Sequence, residues 1–126
     1  MQTRIRHRDV RFEVVDDHLV RTVTGPDGRS YVHRCGHEAY RRVAFAFESC
    51  PPAGLTIVTL APSLDLPNTQ VNVALEFLKD RGCVVTRHRS NYPASDFVYE
   101  DALIEWHARA KSGEEQGMPG EPSPTT

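Results

Sequence analysis

The chain has 126 residues, a net charge of −2 and 39% hydrophobic residues, which suits one domain with a single core. No run approaches the ~20 apolar residues that a membrane helix needs, and the basic N-terminus lacks the apolar segment of a secretory signal. We therefore expect a cytoplasmic protein without membrane contact. Its three cysteines have no CxxC spacing, which favours reduced thiols over a disulfide framework.

Residues 1–11 carry four arginines and are predicted to form a flexible basic arm, either solvated or in contact with phosphate. Residues 12–34 are predicted to form a β-meander, because turn signals separate three strand-like segments. The meander should cover an open side of a helical core or pair with a second subunit. Its apolar side is expected to contain six residues: Phe12, Val14, Leu19, Val23, Tyr31 and Val32.

An H-x-C-x-H cluster follows the meander and consists of His33, Cys35 and His37. A structural zinc ion takes four tetrahedral ligands. These three residues are too closely spaced for a standard zinc unit, and a fourth ligand would have to come from Cys50 or Cys83. We predict no metal site here, because surface histidines beside a small buried thiol are the more common arrangement.

Two helices are predicted in the next part of the chain. Residues 37–49 have helical apolar spacing, and Pro51 and Pro52 should end this helix, since proline has no N–H to donate. Residues 54–63 are predicted to hold a short strand and then a second helix. The β-branched residues and Pro62 in that segment oppose a regular helix.

A third helix is predicted over residues 68–81. Asn68 is a suitable N-cap, and Gly82 supplies a left-handed stop. An apolar stripe at i, i+3, i+4 and i+7 predicts the buried side of this helix: Val71, Ala74, Leu75 and Leu78.

Residues 83–96 are predicted to form a strand and an exposed loop, with Arg87 and Arg89 on one face of the strand. A last helix should follow and extend through Lys111, with Trp106 in the core or in a dimer contact. Residues 112–126 are rich in Gly, Pro, Glu and Ser and are predicted to be disordered.

The segment 64–89, LDLPNTQVNVALEFLKDRGCVVTRHR, combines a short LDLP loop, an AL..L...G.V core pattern and a basic strand. In this it resembles a winged helix-turn-helix domain, and with the order of the helices included the resemblance covers residues 37–111. The resemblance implies an α+β fold with a three-helix core and a β-wing. An N-terminal β-meander and a C-terminal helix would complete a single domain over residues 12–111.

The resemblance implies a small DNA-binding protein that regulates transcription. Helix 68–81 would read the major groove and wing 83–96 would contact the DNA backbone. Asn and Gln can bond adenine, Val can meet the thymine methyl group, and basic side chains suit phosphate. The candidate DNA contacts lie on the outer face of the helix and on the wing: Asn68, Thr69, Gln70, Asn72, Val73, Lys79, Arg87, Arg89 and Tyr92.

An alternative is a winged-helix module for protein interaction or dimerisation that does not bind DNA. A continuous positive strip along Gln70, Arg87 and Arg89 would favour DNA, whereas a mixed-sign or apolar third-helix face would favour protein. A homodimer would form through the C-terminal helix or the β-meander. The sequence has no nucleophile elbow, phosphate-binding glycine loop or HExxH motif, so we expect no enzyme, and it requires no cofactor.

Overall fold

The computed structural model describes residues 9–117 and the side chains of residues 9–110. The fold is α+β, with four helices and two antiparallel sheets of three and two strands. None of the described helices has the length and apolar character required to cross a membrane. The elements follow in this order: β1 (Asp9–Val15), β2 (His18–Thr24), β3 (Ser30–Gly36), α1 (His37–Ala46), a 3-10 turn (Phe47–Ser49), α2 (Ile57–Leu64), α3 (Asn68–Asp80), β4 (Val84–Arg87), β5 (Ser90–Pro93) and α4 (Val98–Gly117).

Strands β1, β2 and β3 form the predicted meander in that spatial order. It begins at Asp9, so residues 9–11 belong to a strand and not to the expected basic arm, and residues 1–8 of that arm lie outside the described residues. Asp16 and Asp17, which join β1 to β2, both have positive φ, as a two-residue hairpin turn requires.

One face of this sheet packs on the helices. Leu19 and Cys35 are fully buried there, and Phe12 packs against the same cluster. Tyr31 pairs with Val23 and lies on the predicted face but is exposed, whereas Val32 pairs with Thr22 on the opposite face, so its expected place on the apolar side is wrong. They lie in the first half of β3, away from the end that leads into α1.

Helix α2 forms in spite of its β-branched residues and Pro62. Thr56 and Thr59 make a reciprocal capping box, in which each side chain accepts a bond from the other residue's backbone N–H. The helix ends two residues after Pro62, and Asp65 closes it in the left-handed conformation. Local capping therefore outweighs the poor helix propensity of this segment.

Helix α3 is buried on two sides. The predicted stripe is buried, and α3 contacts α1 and α2. Val73 and Phe77 are also fully buried, and α3 contacts β2 and β3 as well. The Phe77 ring lies 5.3 Å from the ring of Phe12 and 5.8 Å from that of Tyr40. The N-terminal sheet thus covers a side of α3 that was expected to face solvent.

The hairpin β4–β5 is joined to the residues before α2 by a single bridge. The backbones of Leu55 and Asn91 exchange two hydrogen bonds of 2.9 Å, and the Asn91 side chain donates a third to the Leu55 carbonyl. Gly54 next to it has a φ of +81°, and a Cβ there would lie 2.7 Å from the Cβ of Ser90. Glycine is therefore needed for this close approach.

Helix α4 packs against β1 and α1. Trp106 is buried, with its ring 4.9 Å from that of Tyr40, and the Tyr40 hydroxyl donates to the Ala102 carbonyl at 2.6 Å. Trp106 is therefore a core residue of the single chain. The helix continues to Gly117, so the predicted disorder is wrong for residues 112–117, while residues 118–126 lie outside the described part.

Candidate nucleic-acid interface

Gln70, a candidate base contact, is half-buried and bound within the protein. Its Oε1 accepts a hydrogen bond from the Gly36 N–H at 3.1 Å. Gly36 ends β3, an edge strand of the sheet, whose outward N–H groups have no strand partner. The Gln70 side chain therefore pairs with a backbone N–H at the edge of the sheet. This corrects the expectation that Gln70 faces outward.

Asn72 is the second candidate whose side chain is hydrogen-bonded within the protein. Its Oδ1 accepts from the Arg21 guanidinium, whose side chain is only 9% exposed. The same Arg21 nitrogen donates to Glu76 Oε1 at 2.6 Å, and a second nitrogen lies 3.2 Å from His33 Nδ1. Arginine has no acceptor, so His33 Nδ1 accepts in this contact. We call these four residues the Arg21 cluster.

Val73 is fully buried and cannot reach a thymine methyl group. The outward orientation expected for Gln70, Asn72 and Val73 is thus wrong, and the physical reason is the same for all three. The N-terminal sheet packs across this side of α3. Its Arg21 and Gly36 donate hydrogen bonds to the amide oxygens of Asn72 and Gln70.

Asn68 and Thr69 are exposed in the first turn of α3, and Lys79 is exposed near its end. Asn68 is the first helical residue and not the N-cap, since Pro67 occupies that position and makes no side-chain capping bond. These three candidates remain accessible. They lie at opposite ends of α3, with Asn72 and Glu76 between them.

Arg87 ends β4, and His88 and Arg89 form the turn at the tip of the hairpin, so the prediction that Arg87 and Arg89 share a strand face is wrong. All three are exposed. Backbone φ is +50° at His88 and +68° at Arg89, which bulky residues adopt at a cost. The Arg87 guanidinium lies 4.6 Å above the ring centre of the half-buried Tyr92, an arrangement that steadies the arginine.

A cleft of about 230 Å³ separates this hairpin from α3 and the start of α2. Arg89 and Lys79 lie on its walls together with Asn72 and Glu76. The charges along this side of α3 are therefore of both signs, and Asp80 adds a further acid at the end of the helix. A continuous positive strip does not form here.

No group of described residues could hold a metal ion. His33 accepts from Arg21, and the His37 ring stacks on Trp106 with 4.5 Å between ring centres. Burial raises the pKa of Cys35 to about 12, which disfavours the thiolate that a metal needs. The three residues of the H-x-C-x-H cluster therefore make separate contacts within the protein.

Arg21 and Glu76 were not among the candidates, although the sequence carries a signal for Arg21 and for the second buried side of α3. Arg21 occupies an inward position in the alternation Leu19-x-Arg21-x-Val23, where a charged residue needs an internal partner. Val73 and Phe77 are four residues apart and form a second apolar stripe on α3.

Comparisons of the chain with protein-family models, with curated proteins and with solved structures found no match.

Proposed function

We propose that this chain is a winged-helix-type domain that acts as a protein-interaction module. The order of its elements supports the winged-helix assignment, since α1, α2 and α3 are followed by a hairpin. The bridge between Leu55 and Asn91 stands where such a domain has a short strand before its second helix.

The observation that carries the functional proposal is the occupied face of α3. Gln70 and Asn72 accept bonds from the N-terminal sheet, and Val73 is fully buried. Placing these residues in a major groove would require the sheet to leave, which would expose the buried Arg21. Glu76 and Asp80 also interrupt any run of positive charge along this side of α3.

Large apolar side chains are exposed on or beside two helices. They are Phe45 on α1, Phe97 just before α4 and Ile104 within α4. Aromatic and aliphatic residues of this size are common anchors in protein interfaces. These residues indicate that the surface around α1 and α4 meets another protein.

The substitutions Gln70→Ala and Asn72→Ala test the proposal, with Thr69→Ala as an exposed control on the same helix. Each of the two should lower the free energy of unfolding by about 1 kcal/mol, since each leaves a donor without its acceptor. Binding to pooled duplex DNA, measured by fluorescence anisotropy at ~50 and ~200 mM salt, should stay absent or unchanged. Unchanged stability together with lost DNA binding would instead show that the helix reads DNA.

DNA-backbone contact through the hairpin tip is a second candidate, favoured by one observation. A two-residue turn with positive φ at both positions normally takes Asn-Gly, yet this turn holds His88 and Arg89. Long cationic side chains in a strained turn suit phosphate contact. The double substitution Arg87→Ala/Arg89→Ala should lower the salt slope by about two units. Wild-type protein that binds no DNA at ~50 mM salt would remove this candidate.

A further inference from the structure

A groove of about 400 Å³ lies between α1, the end of α2 and the first turn of α4. Its volume is within the range of about 300 to 1,000 Å³ found for ligand pockets. Phe45, Leu64 and Tyr99 supply its apolar lining, which we call the floor, and Arg41 and Arg42 supply its basic lining, which we call the rim. We call this feature the α1–α4 groove. It is separate from the β4–β5 hairpin and from the cleft beside α3.

The floor of the groove leaves a large aromatic ring mostly in water. Phe45 is 61% exposed, although its ring meets that of Tyr99 edge-on at 5.4 Å. Val43, Ala44 and Phe47 on either side of it in the chain are buried. An occupant with a bulky apolar side chain would remove this exposed surface from contact with water.

The rim offers hydrogen-bond donors held in place. Arg41 Nε donates to the Tyr99 hydroxyl at 3.0 Å, and an Arg42 nitrogen donates to the Leu64 carbonyl at 2.6 Å. Each guanidinium keeps further N–H groups, and the Tyr99 hydroxyl, which accepts from Arg41, still has its own hydrogen to donate. These groups require an occupant that brings acceptors.

The acids beside the groove are already engaged. Glu38 lies 3.6 Å from Arg41, and Glu48 accepts the backbone N–H of Tyr99 at 2.9 Å. Among the described residues no carboxylate forms an ion pair with Arg42. The residues that line the groove include two arginines and one acid, Glu38, so the lining carries a net positive charge beside an apolar floor.

We propose that the α1–α4 groove binds a short acidic segment of a partner protein, one that carries a carboxylate close to a large apolar side chain. The apolar side chain packs on Phe45 and Leu64, and the carboxylate accepts from Arg42 and Arg41. This inference rests on the proposed protein-interaction function and names the surface and the chemistry of the partner.

A random dodecapeptide library displayed on phage tests the proposal, with the full-length chain as bait. Enriched peptides should carry Asp or Glu within four residues of Leu, Phe or Trp. The leading peptide, labelled with a fluorophore, should bind Arg41→Gln/Arg42→Gln about tenfold more weakly than wild type. The control Arg29→Gln/Arg34→Gln removes two exposed arginines, one in the turn between β2 and β3 and one in β3, and should change affinity by less than about twofold.

The floor of the groove is tested with the same peptide. Phe45→Ser should also weaken binding about tenfold, whereas Val58→Ser, which removes an exposed apolar side chain from α2, should leave it within about twofold. Far-UV circular dichroism and thermal midpoints establish that each variant is folded. A folded Phe45→Ser variant with wild-type affinity would overturn the assignment.

The outcomes separate this inference from the proposed function. Enriched peptides that bind all groove variants equally would overturn the groove assignment and leave a protein-interaction module with another surface. Enrichment without acidic residues would also overturn it. No enrichment, together with steeply salt-dependent DNA binding, would overturn both. A labelled oligo-dT that binds wild type and loses affinity with Phe45→Ser would assign the groove to nucleic acid instead.

Discussion

Replacing Glu76 by Gln tests whether the Arg21 cluster stabilises the packing of the N-terminal sheet on α3. Glutamine keeps the shape of the side chain and can still accept a hydrogen bond, so the substitution removes mainly the charge. Arg21, whose side chain is 9% exposed, would lose a carboxylate that lies 2.6 Å away. Asn72 would remain as a neutral acceptor.

The size of the effect follows from the burial of the two partners. Breaking a fully buried ion pair costs about 3–5 kcal/mol, whereas an exposed pair contributes about 0–1 kcal/mol. The Glu76 side chain is 35% exposed and Arg21 far less so, which places this pair between the two limits. We expect a loss of about 2 kcal/mol and a fall in Tm of about 10 °C for a domain of this size.

Urea unfolding monitored by Trp106 fluorescence and by circular dichroism measures this loss. Glu38→Gln is the matched control, because Glu38 is 75% exposed and lies 3.6 Å from Arg41, and it should change stability by less than about 0.5 kcal/mol. A double-mutant cycle with Arg21→Met measures the interaction energy between Glu76 and Arg21, which we expect to be about 1–2 kcal/mol. Equal effects of the two glutamine variants, or a coupling near zero, would refute the role given to the cluster.

Three further predictions concern positions elsewhere in the fold. Gly54→Ala should destabilise by about 2–4 kcal/mol in urea unfolding, because φ is +81° and the new Cβ would lie 2.7 Å from another side-chain carbon. Gly82→Ala, with positive φ but open space, should cost only about 1 kcal/mol, and equal losses would contradict the steric argument. His88→Asn/Arg89→Gly should stabilise by about 1 kcal/mol by relieving two positive φ angles; no gain in the urea midpoint would show that the turn is unstrained. Burial raises the pKa of Cys35 from 9.0 to about 12, so unfolding releases its proton above pH 9 and stability falls as the pH rises. Cys35→Ala should remove about 1 kcal/mol of the loss between pH 8 and pH 10, and an identical pH dependence in the variant would contradict the raised pKa.

The sequence was sufficient for the elements of the helical core because their signals are local. The stripe of α3 at i, i+3, i+4 and i+7 is buried as predicted, and the first two strand pairs are joined at the predicted turns. The end of α4 was missed because Gly113 has low helix propensity and residues 112–117 have almost nothing apolar to bury. The helix nevertheless continues to Gly117.

The candidate site could not be predicted in the same way, because it depends on contacts between distant parts of the chain. Arg21 and Asn72 are 51 residues apart, and Gly36 and Gln70 are 34 apart. A polar residue on the outer face of a helix has the same local pattern whether it meets water, a base or another strand. Only the packing of the N-terminal sheet distinguishes these cases for α3.

Outside α3, two places carry an exposed arginine that contacts a tyrosine. At the hairpin tip Arg87 rests on the Tyr92 ring, and at the α1–α4 groove Arg41 donates to the Tyr99 hydroxyl. An arginine already held by a tyrosine loses less side-chain freedom when it binds an anion.

The two places suit different ligands, because the surroundings of their arginines differ. The hairpin tip places Arg87 and Arg89 in water on a narrow turn, where the ligand interacts mainly with charge, as a phosphate does. The groove places Arg42 beside Phe45, which is 61% exposed, so an occupant gains from apolar burial as well as from charge. A peptide that combines a carboxylate with a large apolar side chain meets both demands, and a bare phosphate meets only one.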